Sequence, residues 1–248
     1  MSTIYILWIR QVKRYLRSKS RIIGSLMQPI LFLIALGYGF GSIYQKAGEG
    51  NYIEFLAPGI IGMSIIFTSV FSGMEVIWDR QFGFLKETLV APVSRFNIML
   101  GRTLGGATVA TVQGLVVFII AIIVGFRFDN FLAVPILVLV MLLTALLFTA
   151  IGTIIASFLE DMQGFHLVVS FLIMPLFFLS GALFPFQEAP RAIQIFAMFN
   201  PLSYGVDAMR GLLTNQYYFG LGTDLIVLFL VTFVFLSIGS YSFSKIQA

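Results

Sequence analysis

Long apolar runs, each near the length that crosses a bilayer, restrict the fold of this chain more than any other feature. The chain is 59% hydrophobic and 10% charged, whereas a soluble domain carries about 25% charged residues. A water-soluble fold cannot bury that much apolar surface, so we expect lipid to solvate much of it. The sequence therefore predicts an all-α polytopic membrane protein that forms one transmembrane domain over residues 1–248. We interpret six runs as transmembrane helices, at residues 22–44, 53–77, 101–125, 132–158, 165–184 and 223–244.

Basic residues are concentrated on one side of this predicted topology. Six of the fifteen Lys and Arg residues precede the first run, and six alternating spans place eleven of the fifteen on the side of both termini. That bias is the positive-inside signal, which predicts that both termini are cytoplasmic. A net charge of +4 distributed in this way indicates membrane topology rather than binding to nucleic acid.

Residues 1–21 are predicted to form an interfacial amphipathic helix ahead of the first span. Helical spacing places Tyr5, Trp8, Val12 and Tyr15 on one face and four basic residues on another. Aromatic side chains suit the lipid headgroup region, and basic side chains suit anionic lipid. The helix either serves only as a cytoplasmic anchor or also frames a docking site for a cytoplasmic partner.

The loop predicted over residues 78–100 opens with a charged stretch, WDRQFGFLKETLVAPVSR. A helix over 78–91 would share one apolar face among Trp78, Phe82, Leu85 and Leu89. Pro92 disfavours helical geometry in the residue before it, and Ser94 can cap the next helix. The stretch is either a connector with solvated charges or a docking helix. Its length favours docking, since adjacent helices need only about 2–8 loop residues.

Three stretches resemble the ABC-2 type transporter permeases, in the order in which that family has them. FLKETLVAPVSR followed by GRTLGGA is similar to the family's first cytoplasmic loop. YIEFLAPGIIGMSIIFTSVFSGMEVIWDR resembles its second helix, and FFLSGALFPFQEAPRAIQIFAMFNPLSYGVDAMRGLL resembles its C-terminal motif region. The resemblance covers nearly the whole chain and is closest to the drug-exporter and nodulation-factor branch. It implies a multi-pass protein of a prokaryotic cytoplasmic membrane.

The resemblance implies that the 78–100 loop carries a coupling helix, which sits in a cleft of a separate ATP-binding subunit. Apolar residues of this helix would anchor it, charged residues would contact the ATPase, and a proline would fix the geometry of the loop. The residues that this assigns to ATPase coupling are Arg80, Phe82, Gly83, Leu85, Lys86, Glu87, Leu89 and Pro92.

Residues 185–220 are too irregular for a plain span, and the resemblance implies two short outer re-entrant helices that help to close the exit. Asn200 and Pro201 break the apolar run, Ser203 can cap a second short helix, and Asp207 and Arg210 are spaced to pair. The expected outer gate consists of Asn200, Pro201, Tyr204, Asp207 and Arg210. The alternative is an outer hairpin that only packs. Nearby aromatic residues either line a substrate path or face lipid and neighbouring helices: Phe177, Phe178 and Phe184.

The chain has no evident energy source of its own. None of its five lysines follows a glycine, so the phosphate-binding loop G-x-x-x-x-G-K-[ST] is absent from the sequence. We expect no cofactor in this chain, with ATP and Mg²⁺ bound by the partner subunit. Glu75 and His166 are the candidates for a proton relay, although both lie near a span end, where snorkelling to water is the ordinary explanation.

The resemblance implies two copies of this chain and two ATP-binding subunits that export an amphipathic or hydrophobic substrate by alternating access. An alternative cargo is a polysaccharide on a polyprenyl carrier, of the O-antigen or teichoic-acid type. A partner-free secondary transporter or flippase is a different class. An intramembrane enzyme has the least support, because the chain has no cysteine and a single histidine.

Overall fold

The computed structural model describes residues 3–46, 51–84, 90, 93–128, 130–186 and 189–245. Within these residues the regular structure is helical. Ten α-helices are named here, and a 3₁₀ turn at Phe131–Ala133 leads into the sixth: α1 (Thr3–Arg17), α2 (Lys19–Lys46), α3 (Tyr52–Ser72), α4 (Met74–Gln81), α5 (Arg95–Val124), α6 (Val134–Phe158), α7 (Met162–Phe178), α8 (Arg191–Phe199), α9 (Pro201–Thr214) and α10 (Leu221–Ser244).

Five helical segments of the described chain are long and apolar enough to cross a membrane. They are Lys19–Gly41, Tyr52–Gln81, Arg95–Val124, Phe131–Phe158 and Leu221–Phe243. Each coincides with a run predicted from the sequence, and the all-α polytopic class is confirmed.

The fifth predicted span, residues 165–184, is shorter in the structure than in the prediction. Its helix α7 has 17 residues and ends at Phe178. The chain then turns, with Gly181 at φ +72°, a left-handed conformation that glycine adopts without steric cost. Whether α7 crosses the membrane stays a prediction, and Phe184 lies beyond the helix that was expected to contain it.

Helix α3 lies at the centre of the bundle and is buried along most of its length. Small residues allow its neighbours to approach closely, as they do between membrane helices generally. Gly73, at the junction with α4, contacts the backbone of Gly152 in α6, and Gly62 contacts Val206 of α9. Larger side chains at these glycines would displace a neighbouring helix.

Helix α4 continues the direction of α3 and ends earlier than the sequence predicted. Gly73 has right-handed helical geometry, so the α3–α4 segment runs to Gln81 as one long span. The predicted helix over 78–91 is helical at residues 78–81 and is then interrupted, because Gly83 follows α4 with φ +79°; residues 85–89, 91 and 92 lie outside the described residues. The predicted cap is confirmed: the Ser94 hydroxyl accepts a hydrogen bond from the Asn97 amide at the start of α5.

The amphipathic helix α1 packs against α5. An added Cβ at Gly105 would lie 2.6 Å from the Gln11 Cβ, and one at Gly101 would lie 2.9 Å from the Ile4 carbonyl oxygen. The two glycines are four residues apart, the spacing that permits close helix contact. The face that the sequence assigned to the headgroups is used for this contact, because Trp8 donates to the Thr108 hydroxyl at 3.0 Å.

The α1 side of the bundle, with α4 and the start of α5, is called the basic end below. The opposite side, with α8 and α9, is called the far end. Two short helices were predicted at the far end, and two are present. Asn200, not Ser203, caps α9, since its side chain accepts from the Leu202 amide at 3.0 Å. Pro201 follows at the first helical position, where its missing N–H costs nothing.

Candidate functional site

Two carboxylates of α4 tie together four helices at the basic end. Glu75 and Asp79 are four residues apart and both are buried. Glu75 accepts from Arg21 of α2 at 2.6 Å. Asp79 accepts from Arg102 of α5 at 2.5 Å and from Arg10 of α1 at 3.0 Å. We call this cluster the ionic junction; it fixes the end of α4 to α1, α2 and α5.

The ionic junction carries more positive than negative charge. Arg14 also lies 3.7 Å from Glu75 and 4.0 Å from Asp79, which makes four guanidinium groups for two carboxylates among the described residues. Arg102 is 5% exposed, and its Nε and Nη1 atoms have no hydrogen-bond partner in the described chain. The pairing of Asp79 with Arg102 therefore neutralises a charge that would otherwise be buried alone.

Neutral hydrogen bonds extend the junction along α1. The Tyr15 hydroxyl donates to Gln113 Oε1 at 2.6 Å, and the Ser25 hydroxyl donates to the same atom at 3.0 Å. Burial raises the pKa of Tyr15, so the phenol keeps its proton as a donor at neutral pH. One amide oxygen of α5 thus joins α1 and α2.

Arg80, predicted to contact the ATPase, binds a neighbouring helix in the structure. Its guanidinium donates to the carbonyls of Leu159 at 3.1 Å and Ser157 at 3.5 Å, at the end of α6. The last carbonyls of a helix lack intrahelical partners and favour a cation. Gln81 adds a bond to the Glu160 carbonyl at 3.2 Å. These contacts position the loop after α4, and a contact of Arg80 with a partner protein stays a prediction.

Apolar side chains are exposed around the same loop. Trp78 and Phe82 have ring centroids 5.7 Å apart, and every member of the set is between 40% and 84% exposed. We call this set the loop patch: Trp78, Phe82, Phe84, Val90 and Phe96. Exposed aromatic residues beside charged groups are typical of protein contacts. The other predicted coupling residues, Leu85, Lys86, Glu87, Leu89 and Pro92, lie outside the described residues.

The predicted gate residues at the far end hold α9 against its neighbours. The Asn200 amide donates to the Leu176 carbonyl of α7 at 2.6 Å. The Tyr204 hydroxyl donates to the Met198 carbonyl at 2.7 Å. The first bond attaches the start of α9, at Pro201, to α7, and the second attaches α9 to the end of α8.

Asp207 and Arg210 are satisfied by separate backbone groups rather than by each other. Asp207 accepts from the amides of Tyr218 and Phe219 at 2.8 Å each. Arg210 donates to the Gly181 carbonyl at 2.8 Å and lies 4.1 Å from the centroid of the Phe55 ring. Burial lowers the pKa of Arg210 to about 10, against the opposing charge of Asp207, so Arg210 stays charged at neutral pH. The predicted pairing is therefore indirect.

The three aromatic residues predicted for a substrate path do not share one surface. Phe177 is buried in the core, whereas the adjacent Phe178 is 45% exposed. Their ring centroids are 5.6 Å apart, and Phe184 lies in the turn beyond α7 at intermediate exposure. A role in transport stays a prediction for all three, and the exposed Phe178 is the one placed to contact a molecule in the membrane.

The proton-relay candidates are placed differently from each other. Glu75 belongs to the ionic junction, and His166 is exposed, with its ring 5.4 Å from that of Phe71. Sequence reasoning missed Asp224, which is fully buried in the first turn of α10, with neither carboxylate oxygen hydrogen-bonded among the described residues. An acidic residue at the start of an apolar run was the available signal. A basic residue at the start of an apolar run would likewise have marked Arg102.

These observations define the class of the molecule before any relative is considered. It is a polytopic helical membrane protein with an ion-paired basic end and with apolar side chains exposed at a loop between two spans. In the described residues no group of three or more His, Cys, Asp or Glu side chains is placed to hold a metal ion.

Known proteins of similar sequence give the family. Residues 2–214 match the ABC-2 type transporter family, and the chain belongs to it. The chain is 29% identical over 220 residues to a protein of Cyanophora paradoxa described as transport permease ycf38, covering 86% of this chain and 74% of the relative. It is 28% identical over 197 residues to Nodulation protein J of Rhizobium leguminosarum bv. viciae, covering 79% and 75%.

A third relative carries a drug-resistance description. The chain is 28% identical over 213 residues to a probable doxorubicin resistance ABC transporter permease protein, DrrC, of Mycobacterium tuberculosis strain ATCC 25618 / H37Rv, covering 82% of this chain and 73% of the relative. The resemblance drawn from the loop and helix motifs is confirmed. The chain is thus a membrane permease of the ABC-2 type transporter family.

Proposed function

We propose that this chain is the membrane-spanning subunit of an ATP-driven exporter. Two copies pair with two separate ATP-binding subunits, and the complex moves an amphipathic or hydrophobic molecule out across the cytoplasmic membrane of a prokaryote. The basic end is cytoplasmic, in keeping with the positive-inside bias. A polysaccharide on a polyprenyl carrier is the alternative cargo, and the names of the similar proteins do not decide between the two cargoes.

The observation that carries the proposal is the loop patch next to the ionic junction. Phe82 and Phe84 follow the end of α4 and are more than half exposed, so they are available to a partner. Movement of this loop reaches α6 through Arg80 and reaches α1, α2 and α5 through Glu75 and Asp79. A push on the loop is therefore transmitted to four helices by charged hydrogen bonds, which are stronger than neutral ones.

Phe82→Ser tests whether the loop patch binds the ATP-binding subunit. A buried aromatic anchor of an interface costs about 2 kcal/mol or more when truncated, so the affinity for a co-expressed ATP-binding subunit should fall at least about tenfold. The measurement is co-purification in mild detergent, followed by titration of the separated subunits. Phe199→Ser is the matched control, because Phe199 is 85% exposed at the far end. Equal recovery of the ATPase by both variants would remove the proposal for this surface.

A partner-free carrier is the second candidate, and Asp224 is the observation that favours it. A buried carboxyl in a membrane helix is the kind of group that proton-driven transporters use. It lies at the far end, however, on the side away from the ionic junction. Proton-dependent transport by the purified chain in vesicles, lost in Asp224→Asn, would favour the carrier; ATP-dependent transport that survives this substitution would favour the pump.

A further inference from the structure

Three adjoining cavities lead from the surface of the basic end into the bundle. The first is a shallow basic depression of about 790 Å³ on α1 and the start of α2. The second, of about 340 Å³, shares Arg14 and Ser18 with the first. The third, also about 340 Å³, lies between α2 and α3 and shares Arg21 and Phe71 with the second. The shared side chains place the three cavities next to one another in a row, which we call the path.

The chemistry of the walls changes along this path. The outermost cavity is lined by Lys, Arg and Ser side chains. The innermost one mixes apolar residues, among them Met63 and Phe67, with hydroxyl groups, among them Ser25 and Thr68. Its volume lies in the range of ligand pockets, about 300–1,000 Å³. A molecule that fits the whole path has a charged head and an apolar tail.

The sign of the head group follows from the ionic junction. Its four guanidinium groups face only two carboxylates, Glu75 and Asp79, so the junction has room for about two further negative charges. A phosphate monoester carries about −1.5 to −2 charges at neutral pH. Arg14 and Arg21 keep 39% and 36% of their side chains exposed, which leaves them accessible. Arginine is also the residue that best matches phosphate geometry.

An unsatisfied hydroxyl marks the inner cavity independently. Ser64 lines this cavity, and its Oγ is buried without a hydrogen-bond partner among the described residues. Most buried polar groups are hydrogen-bonded, so an exception calls for an explanation.

We propose that this path binds an amphiphile made of a phosphate head group on a hydrocarbon chain. The phosphate lies between Arg14 and Arg21, and the first part of the chain lies in the cavity between α2 and α3. Such a molecule is either a phospholipid of the surrounding leaflet or the molecule that is transported. The second reading rests on the proposed export function, whereas binding itself does not.

Gly24→Leu is designed to fill part of the inner cavity, starting from a position where an added Cβ meets no neighbour. Gly24 lines the cavity, and a Cβ added there meets no atom within 4 Å. Gly39→Leu is the matched control, since Gly39 lies on the same helix, outside the cavity, and is equally open. Arg14→Gln removes charge at the cavity mouth, and Arg191→Gln removes the same charge from the exposed start of α8 at the far end.

The probes are dioleoyl phosphatidic acid and dioleoyl phosphatidylcholine, titrated onto the purified permease and measured by native mass spectrometry. The wild type should bind phosphatidic acid at least about tenfold more tightly than phosphatidylcholine. Gly24→Leu should lower the affinity for phosphatidic acid about tenfold, with Gly39→Leu unchanged. Arg14→Gln should reduce the preference between the two lipids several-fold, with Arg191→Gln unchanged.

A second arm separates the two sources of the ligand. In phosphatidylcholine nanodiscs that hold the complex with the ATP-binding subunit, a transported phosphate lipid raises ATP hydrolysis, whereas a structural lipid binds without raising it. Equal binding of the two lipids by the wild type would overturn the proposal, as would equal binding by the two leucine variants. Chromatographic size serves as a check on folding, and Arg14→Gln keeps the test decisive if Gly24→Leu fails to fold. If the permease binds phosphatidic acid as expected but forms no complex with the ATP-binding subunit, the result would count against the export function and not against this lipid site.

Discussion

The two arginines that hydrogen-bond to Asp79 differ in how much water surrounds them, and this difference sets their energetic weight. Arg102 is 4% exposed at its side chain, whereas Arg10 is 42% exposed. A buried charge that loses its partner costs about 3–5 kcal/mol, because it cannot be solvated in place. A pair in contact with water contributes about 1 kcal/mol or less. One carboxylate therefore takes part in one strong and one weak interaction.

Asp79→Asn should destabilise the protein by about 3–5 kcal/mol, since Arg102 loses its only carboxylate partner in the described chain. Arg10→Gln should cost less than about 1 kcal/mol, because Asp79 keeps Arg102. Thermal unfolding of the purified variants in detergent measures both. Similar melting temperatures for the two variants would contradict the view that burial separates these interactions.

At the far end, spacing along the helix predicted a direct pair that the structure does not contain. Asp207 and Arg210 are three apart on one helix, which favoured a direct pair. Spacing along a helix cannot show carbonyl and amide groups that the fold brings in from elsewhere, such as Gly181 and Tyr218. Asp207 and Arg210 are satisfied by polar backbone groups from outside their own helix. The residues of this region were thus predictable, whereas their bonds were not.

Helix α1 packs closely on α5 because two glycines of α5 have no side chains that would separate the helices. Gly101 and Gly105 face Ile4, Leu7 and Gln11 at contact distance. Any larger residue must push α1 outward, and the bonds from Trp8 and Tyr15 to α5 would lengthen with it. The position of the amphipathic helix is therefore encoded in α5 as much as in its own sequence.

Gly105→Ala should loosen this contact, because its Cβ would lie 2.6 Å from that of Gln11. Overpacking of this kind costs about 1–3 kcal/mol. Gly39→Ala is the control on α2, where nothing lies within 4 Å, and it should be neutral or slightly stabilising, since alanine favours helices over glycine. Melting temperatures in detergent, together with limited proteolysis after Arg17, report the outcome. A stable Gly105→Ala variant with an undisturbed α1 would show that the contact is looser than the geometry indicates.

The elements were predictable where apolar periodicity is continuous and were misplaced where one residue interrupts it. The helical spacing of Trp78, Phe82, Leu85 and Leu89 predicts a helix that continues through Gly83. The positive φ of Gly83 ends α4 at Gln81 instead. Gly181 does the same to the predicted span over 165–184. Hydropathy alone does not show which glycines of a membrane helix turn the chain.

At the scale of the whole molecule, the side of the membrane on which the segment after α7 lies depends on whether α7 crosses. Its 17 residues reach about 25 Å at 1.5 Å per residue, slightly less than a hydrocarbon core of about 30 Å. Helix α7 starts near the end of α6, which Arg80 holds at the basic end, and its Leu176 carbonyl binds Asn200 at the far end. Its two ends thus belong to opposite ends of the bundle. We therefore expect α7 to cross, with local thinning of the bilayer accommodating its short length.

Cysteine labelling in intact cells tests this topology. Because the chain contains no cysteine, any label on it reports the introduced thiol alone. Val90→Cys and Gln163→Cys lie at exposed positions at the basic end, and Gln216→Cys lies at an exposed position at the far end. If eleven of the fifteen basic residues mark the cytoplasmic side, a membrane-impermeant maleimide should label only Gln216→Cys. Permeabilised cells should label all three, which controls for the reactivity of each thiol. Labelling of Gln163→Cys in intact cells would place the loop before α7 outside, and the α6–α7 hairpin would then have to be inverted relative to the ionic junction that anchors α4.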